Sequence, residues 1–438
     1  MDIQRVETFF RHDVPMTSSL LDDLQWRKSI AQTTDRKELE TFLNGGSRSL
    51  YLGFDPTAPS LHLGNLAVLT VLRRFQLAGH KPIALVGGAT GLVGDPSGRS
   101  SERSLNEVEV VADWVGRIRA QLEGFLDFTG KNAAVMANNL DWTAPVSAIT
   151  FLRDIGKHFS VNQMLAKESV SARLESGGIS YTEFSYQVLQ AFDYLELNRR
   201  HDCALQIGGS DQWGNIVAGV DLIRRVEAKS AHALTIPLMT KADGTKFGKT
   251  ASGAIWLDPK MTSPYAFFQF FLNSDDRDVE QLLRSFSFKN HEELEQLFES
   301  LKTNPGAREA HRALARELTT LIHGESETLK VETAAKALFG QGELADLDVE
   351  TLSGALSELP RTNIARGAPI PTWVDLIVAT GLVESKSAAR RIVKEGGAYL
   401  NNVKIVGEDF APTTDSLLHG RFFVLRKGKR DLAAVEVG

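Results

Sequence analysis

The sequence predicts an α/β protein: a Rossmann-like parallel-sheet domain, then an α-helical domain, then a small C-terminal α+β module. Three observations predict it. Short apolar runs bounded by turn signals alternate with helical patterns over residues 45–262. Apolar residues recur at helical spacing over 263–341. The tail, 371–438, places two short helical patterns ahead of strands.

Residues 1–44 read as an N-terminal extension with helices. "SLYLGF" (49–54) and "PIALVG" (82–87) read as buried strands. Between them "LGNLAVLTVLRRFQLAG" has helical spacing and stops at Gly79, a natural residue just past a helix end. Strand, helix, strand with short links implies parallel strands and a right-handed crossover. The alternation returns with "ALQIGG" (204–209), a helix from about Gln212, and "LTIPLM" (234–239). Residues 141–200 are mostly helical and read as an insertion between the halves of a nucleotide-binding domain. "VEQLLRSF", "HEELEQLFESL" and "AHRALARELTTLIHG" make 263–341 helical. Residues 342–370 contain Pro360 and Pro369, with Pro371 just beyond, and have weak periodicity, which predicts a linker. In 371–438, "WVDLIVATG" and "SKSAARRIVKEGG" read as helices, "AYLNNVKI" as a strand with an Asn-Asn turn, and "GRFFVLRKGKRDLAAVEV" as a closing hairpin.

Composition narrows the class. With 438 residues the chain is long enough for several domains and a sizeable core. It has no apolar run approaching the roughly 18 residues of a membrane span. The opening "MDIQRVETFFRHDVP" lacks the apolar core of a signal peptide. The single cysteine, Cys203, excludes an internal disulfide and fits a reducing compartment, so a cytoplasmic location is expected. Cys pairs and His pairs at ligand spacing are both absent, which argues against zinc or another bound metal. Net charge is −6, yet residues 385–430 carry ten Lys/Arg against four acids, so that stretch is +6 and the remainder −12. A basic module on an acidic body points to a localised nucleic-acid contact.

Five stretches carry candidate chemistry. "YLGFDPTAPSLHLGN" (51–65) runs from a strand to a helix start, where open N–H groups and partial positive charge attract phosphate. There Gly64 removes a side chain from the approach, and His62 can donate to a phosphate oxygen. Taken alone, the stretch fits equally well a surface helix start with turn glycines. "KADGTKFGKT" (241–250) combines lysines with flexible glycines, as a loop that closes on negative charge requires; a solvated basic loop has the same composition. "GGATGLVGDPSG" (87–98) crowds glycines at a strand's carboxyl end, where open α/β sheets bind ligands, and its Asp95 can pair with an amine. It has neither the Walker A ending nor the dinucleotide glycine spacing. "YQVLQAFD" puts Tyr186, Gln190 and Asp193 on one helix face, as a polar ligand site or a solvated stripe. "QIGGSDQWGN" (206–215) is another glycine-rich strand end.

Together and in this order these stretches resemble class I aminoacyl-tRNA synthetases, and specifically the bacterial tyrosyl-tRNA synthetase family. "HLGN" (62–65) is similar to the HIGH signature and "KFGKT" (246–250) to the KMSKS loop in its tyrosyl form. "LVGGATGLVGDPSG", "FLRDIGKHFSVNQMLAKESV", "YTEFSYQVLQAFDYL" and "LQIGGSDQWGN" resemble tyrosyl-specific stretches. The likeness runs from about Leu20 to the C-terminal module. It implies that Tyr51 and Asp193 hydrogen-bond the substrate phenol, that Asp95, Tyr186 and Gln190 hold its α-amino group, and that Gln212 lies close to the amino acid. It implies transition-state stabilisation by His62 with Thr57, pyrophosphate contacts from Lys246 and Lys249, and ribose contact from Asp211. The remaining ATP positions it implies are Gly53, Asp55, Gly64, Asn65 and Gly209. The basic tail resembles an alpha-L RNA-binding module, with Lys386, Arg390, Arg391 and Lys394 as a phosphate-contacting helix face, and the helical domain would bind tRNA near the anticodon. The implied substrates are L-tyrosine, Mg²⁺-ATP and tRNA(Tyr). Adenylate formation with loss of pyrophosphate precedes transfer to the terminal ribose, and the assembly implied is a homodimer.

The sequence departs from the family pattern in three places. Asn65 stands at the second His of HIGH and keeps a hydrogen-bond donor. "RSSER" after the third motif has Arg99 and Ser100 where two lysines are frequent, with Arg103 as another phosphate candidate. The residues before about Leu20 exceed the usual bacterial start, and His12 there has no assigned role. Two rival readings are a tryptophanyl relative and a non-catalytic RNA-binding protein on the same scaffold. Tyr51 with Asp193 argues against the first. The intact His62, Lys246, Lys249 and Asp193 argue against the second.

Overall fold

The computed structural model describes residues 19–97, 105–245, 247–250 and 253–438, apart from the side chains at 168, 169, 172, 176, 249 and 250. His12, Arg99, Ser100, Arg103 and Lys246 lie outside the described residues, as does the Lys249 side chain. The chain forms two compact units. One comprises the residues up to Asp258 with Asp275–Ala310, the other Pro259–Ser274 with His311–Gly438.

The first unit is built on strands β1 (Gln32–Thr33), β2 (Ser49–Phe54), β3 (Lys81–Val86), β4 (Val135–Asn138), β5 (Cys203–Gly209) and β6 (His232–Ile236), in the order β1-β6-β5-β2-β3-β4. All pairs are parallel except β1 with β6. The major helices are α1 (Leu20–Trp26), α2 (Arg36–Asn44), α3 (Leu63–Leu77), α4 (Val108–Glu123), α5 (Tyr181–His201) and α6 (Trp213–Glu227). A short antiparallel ribbon pairs β7 (Lys249–Thr250) with β8 (Gly253–Ala254). Strands β2, β3 and β6 read as near-continuous apolar runs because a parallel sheet is covered on both faces. From β2 the chain moves outward to β3 and β4, then returns to lay β5 on the other side of β2. The strand order therefore reverses between β2 and β5, and the crevice at their carboxyl ends is where such sheets take ligands. Beneath it a core gathers Tyr51, Ile83, Phe192, Tyr194 and Cys203, whose thiol lies within 3.7 Å of the Leu205 carbonyl.

In the second unit α7 (Pro264–Leu272), α8 (Glu309–His323, from His311), α9 (Glu325–Leu338) and α10 (Val349–Leu356) precede a five-stranded sheet. Its strands are β9 (Arg361–Ile364), β10 (Ala398–Leu400), β11 (Val403–Lys404), β12 (Phe422–Lys427) and β13 (Asp431–Val437), ordered β11-β10-β12-β13-β9. Helices α11 (Trp373–Ala379) and α12 (Lys386–Lys394) precede β10. The Asn-Asn turn is present, with Asn401 and Asn402 at φ 47° and 67°, as a tight primed hairpin demands.

Three boundary expectations are corrected. The region 1–44 is not separate from the sheet domain, because Gln32 and Thr33 pair with Thr235 and Leu234 at its edge. Two residues are too few to show a period. The region 342–370 is not a linker: α10 buries Leu352, Ala355 and Leu356, and β9 pairs with β13. The helical stretch 263–341 is divided between the units. Helices Asp276–Phe286 and His291–Thr303 belong to the first. There Arg27 donates to the Ser287 carbonyl (3.0 Å) and the Lys289 carbonyl (2.8 Å), and Arg74 also reaches Ser287. Buried cations satisfying a helix end leave no periodic signal.

Candidate active site

The opening stretch of the site is a strand-to-helix junction. His62 is the N-cap of α3, and its ring is turned onto the helix: Nδ1 accepts the Gly64 N–H at 3.0 Å and the Asn65 N–H at 3.4 Å. Asn65 Oδ1 accepts the His62 N–H at 3.1 Å, completing a capping box. The expectation of open N–H groups at this helix start is corrected here, since the imidazole itself takes two of them. Because Nδ1 is an acceptor, the ring proton sits on Nε2, so Nε2–H is the donor His62 can offer to phosphate. Gly64 is exposed, and so are Thr57 and Gly53.

The lysine-bearing segment runs directly against this junction. Leu63 N donates to the Ile255 carbonyl (3.1 Å), Leu257 N to the Leu61 carbonyl (2.8 Å), and Ile255 N to the Gly248 carbonyl (2.9 Å). Gly248 has φ +77°, and a Cβ placed there would stand 3.0 Å from Leu63 Cβ. Only glycine allows both that dihedral and that approach. The two signature segments thus lie on one side of the molecule.

At the carboxyl ends of β2 and β3, Asp55 forms a hub. Its Oδ1 accepts from Thr90 Oγ1 at 2.7 Å and its Oδ2 from the Tyr186 hydroxyl at 2.6 Å. Gly87 makes room for it, as a Cβ there would come within 2.2 Å of Asp55 Oδ1. Asp55 and Tyr186 were expected at ATP and at the amino group; the structure ties them to each other. Burial and the Asp55 charge push the Tyr186 hydroxyl well above its ordinary value, keeping it a donor. A second pair joins Gln212 Nε2 to Asp95 Oδ2 at 2.6 Å, with Asp95 Oδ1 accepting the Ser97 N–H at 2.9 Å. Asp211 is exposed on the turn after Gly209, at the end of β5.

Deeper in, Asp193 is 2 % exposed. Its Oδ1 accepts from Trp142 Nε1 and its Oδ2 from Asn139 Nδ2, both at 2.9 Å. Burial pushes its carboxyl up to about 7; those two donors pull it back, and the Asp55 charge adds to the rise. The Tyr51 ring packs 5.2 Å from that of Tyr194, and burial first, then the Asp193 charge, raises its hydroxyl well above the ordinary phenol value. Among the described residues the Tyr51 hydroxyl, Gln190 Oε1 and Gln206 Oε1 are buried without a hydrogen-bond partner. Gln206 sits beside Tyr51 in strand register. Asn139, Trp142, Thr90 and Gln206 were missed from the sequence. The polar "NNLDW" (138–142), which begins at the last residue of β4, is the signal that could have found two of them.

On α12, Lys386, Arg390 and Lys394 fall at four-residue spacing, with Arg391 beside them, all exposed and with Ala389 and Val393 buried behind. Each already has an acid: Lys386 with Asp375 (2.6 Å), Arg390 (3.6 Å) and Lys394 (3.1 Å) with Glu408, and Arg391 with Glu395 (4.0 Å). Exposed pairs of this kind are worth about 0–1 kcal/mol, so a phosphate can displace them cheaply.

Comparisons with known proteins bear on the family and the fold. Residues 44–340 match the family model for class I tRNA synthetases (W and Y), and 351–435 match the tyrosine--tRNA ligase SYY-like C-terminal domain. A tyrosine--tRNA ligase of Streptomyces avermitilis is 61 % identical over 96 % of this chain and 99 % of its own. One from Mycobacterium bovis is 55 % identical with the same coverage. A C-terminally truncated mitochondrial tyrosyl-tRNA synthetase from Aspergillus nidulans superposes with TM-score 0.67 at 30 % identity, over 77 % of this chain and 98 % of that one. A Plasmodium falciparum tryptophanyl-tRNA synthetase (TM-score 0.52, 14 % identity, 81 % of this chain and 91 % of that one) shares the fold alone. The fold therefore does not separate the two amino-acid classes, whereas full-length identity does: the chain belongs to the tyrosine--tRNA ligase family of class I aminoacyl-tRNA synthetases.

Proposed function

We propose that this chain joins L-tyrosine to tRNA(Tyr) in two steps carried by the residues around the β2/β5 crevice. The tyrosine carboxylate attacks the α-phosphate of ATP, giving tyrosyl-adenylate and pyrophosphate. The 3′-terminal ribose hydroxyl of tRNA then attacks the activated carbonyl. Mg²⁺ enters with ATP as part of that substrate. Neither step needs a covalent bond to the enzyme, so positioning and charge stabilisation supply the catalysis.

The observation that carries the tyrosine reading is the set of buried, unpartnered polar atoms at Tyr51 and Gln190 beside Asp193. Each such atom costs about 1–3 kcal/mol when left unsatisfied. In this reading the phenol donates to Asp193 and accepts from Tyr51. Gln190 takes the ammonium group, with Asp95, Tyr186 and Gln212 around it. Gly53, Asp55, Gly64, Asn65, Gly209 and Asp211 line the ATP path, and Thr57 with the His62 Nε2–H meets the phosphates. Lys246 and Lys249 grip the departing pyrophosphate. Phenylalanine leaves Asp193 and Tyr51 unpaired; sites of this kind discriminate by about 10⁴–10⁵, a range for which this enzyme family is itself the standard example.

The α12 face supports tRNA phosphate binding by the C-terminal module, and the first unit is read as the catalytic domain. The helical stretch 263–341 is read on the anticodon side. A homodimer through the catalytic domain and a cytoplasmic location follow from family membership; no helix among the described residues is long and apolar enough to cross a membrane. ATP–pyrophosphate exchange tests the whole reading: exchange is expected with tyrosine and not with tryptophan. Exchange driven by tryptophan, or by neither amino acid, overturns it.

A further inference from the structure

We infer that Asp278 is a positioning residue for the lysine-bearing segment, acting through the turn that precedes it; this rests on the reading that Lys246 and Lys249 hold pyrophosphate. The turn is closed by its own groups. Asp243 Oδ1 accepts from the Thr245 N–H (2.9 Å) and hydroxyl (2.6 Å). Lys241 N donates to the Thr245 carbonyl and Gly244 N to the Lys241 carbonyl, both at 2.8 Å. The Ala242 N–H is directed outward and donates to Asp278 Oδ1 at 2.7 Å.

Asp278 lies in the first turn of the helix Asp276–Phe286, next to Arg277 and three residues after the N-cap Asp275. A hydrogen bond accepted by a carboxylate is charge-assisted and roughly twice as strong as a neutral one. The chain then travels along the same helix. Phe247 N donates to the Met239 carbonyl at 3.0 Å, and the Phe247 ring lies 6.3 Å from Phe286, about 12 Å of helix beyond Asp278. Gly248 next meets Leu63 at the start of α3. The helix is itself fixed to the sheet domain, because Arg27 and Arg74 hold the Ser287 carbonyl at its end and Arg284 donates to the Trp26 carbonyl at 3.2 Å.

Ala242, Phe247 and Gly248 are thus tied to one frame at Asp278, Phe286 and Leu63. Phe286 and Leu63 are core side chains. The Asp278 contact is a single exposed hydrogen bond, removable without disturbing the core. Its task follows from the chemistry: two cations must meet the leaving phosphates in the transition state, and a displacement of about 1 Å can cost up to 10²-fold in rate.

The test uses the full-length enzyme in pyrophosphate exchange with Asp278→Ala, Asp278→Asn and Lys249→Ala. Asp278→Ala is expected to lower the exchange kcat about tenfold and raise KM for pyrophosphate severalfold, with KM for tyrosine unchanged. Asp278→Asn keeps an oxygen for the Ala242 N–H and is expected to recover most of the rate. Wild-type constants in Asp278→Ala overturn the inference. So does equal loss in both Asp278 variants, or a parallel change in KM for tyrosine. A Lys249→Ala enzyme with normal pyrophosphate kinetics overturns instead the assignment of that lysine, and is recognised separately.

Discussion

At the scale of single residues, His62 serves two ends with its two ring nitrogens, and the two can be separated. His62→Ala removes both a helix cap, worth about 1 kcal/mol, and the Nε2–H donor. His62→Asn keeps a good cap, while its shorter side chain pulls the remaining N–H donor back from the position that Nε2 occupies. Thermal melting is therefore expected to drop for the alanine variant alone, while both lose about 1.5–3 kcal/mol of transition-state stabilisation in stopped-flow adenylation, with tyrosine binding little changed. Asp193 makes a second prediction. Its carboxyl is pushed up to about 7 from an unfolded value near 3.8, so the folded protein holds that proton more tightly than the unfolded chain. Ionising it costs stability that accumulates as pH rises between those values. The ligand-free melting temperature is expected to fall across that window and to stay flatter in Asp193→Asn. Tyrosine affinity moves the other way, rising toward neutral pH as the carboxylate becomes the better acceptor for a phenol; a pH-independent KM for tyrosine counts against that role. Gln190 and Asp193 share a helix face whose residue types suit a polar ligand or a solvated stripe, and Tyr51 was reached only through the family resemblance. Asn139 and Trp142 were not legible, because they reach Asp193 from over fifty residues away in sequence.

At the scale of elements, the glycines near strand ends mattered less as hinges than as places where side chains from other elements approach closely. Gly248→Ala puts a Cβ against Leu63 in a left-handed conformation costing about 1–2 kcal/mol. Adenylation is expected to slow tenfold or more at unchanged tyrosine KM, and exchange kinetics resolve the two. Helices and central strands were legible, α3 from apolar residues at helical spacing and β2 from a near-continuous apolar run bounded by turn signals. The edge strand β1, two residues long, and β9, sitting between prolines, were not. Their pairing partners, β6 and β13, lie far along the chain, and pairing alone defines them.

At the scale of the whole molecule, β9 changes where the C-terminal module can be cut. Truncation before Pro371 strands β9 without β13 and exposes an edge. Truncation after Leu359 removes both strands together. The shorter chain is expected to keep adenylate formation and lose tRNA charging, whereas the longer one is expected to aggregate; equal loss of both activities in the soluble product contradicts the modular reading. The limits of the two compact units were not legible in the sequence, because they depend on buried arginines and strand partners.

Cys203 gives this molecule a built-in timer. The sole thiol of the chain is fully enclosed beside Tyr51, and burial pushes it far toward the protonated, unreactive form. An alkylating reagent therefore modifies it only when the centre of the parallel sheet opens. Its modification rate, followed by mass spectrometry, is expected to fall when tyrosine occupies the neighbouring crevice. An unchanged rate at saturating tyrosine separates the thiol's exposure from the site.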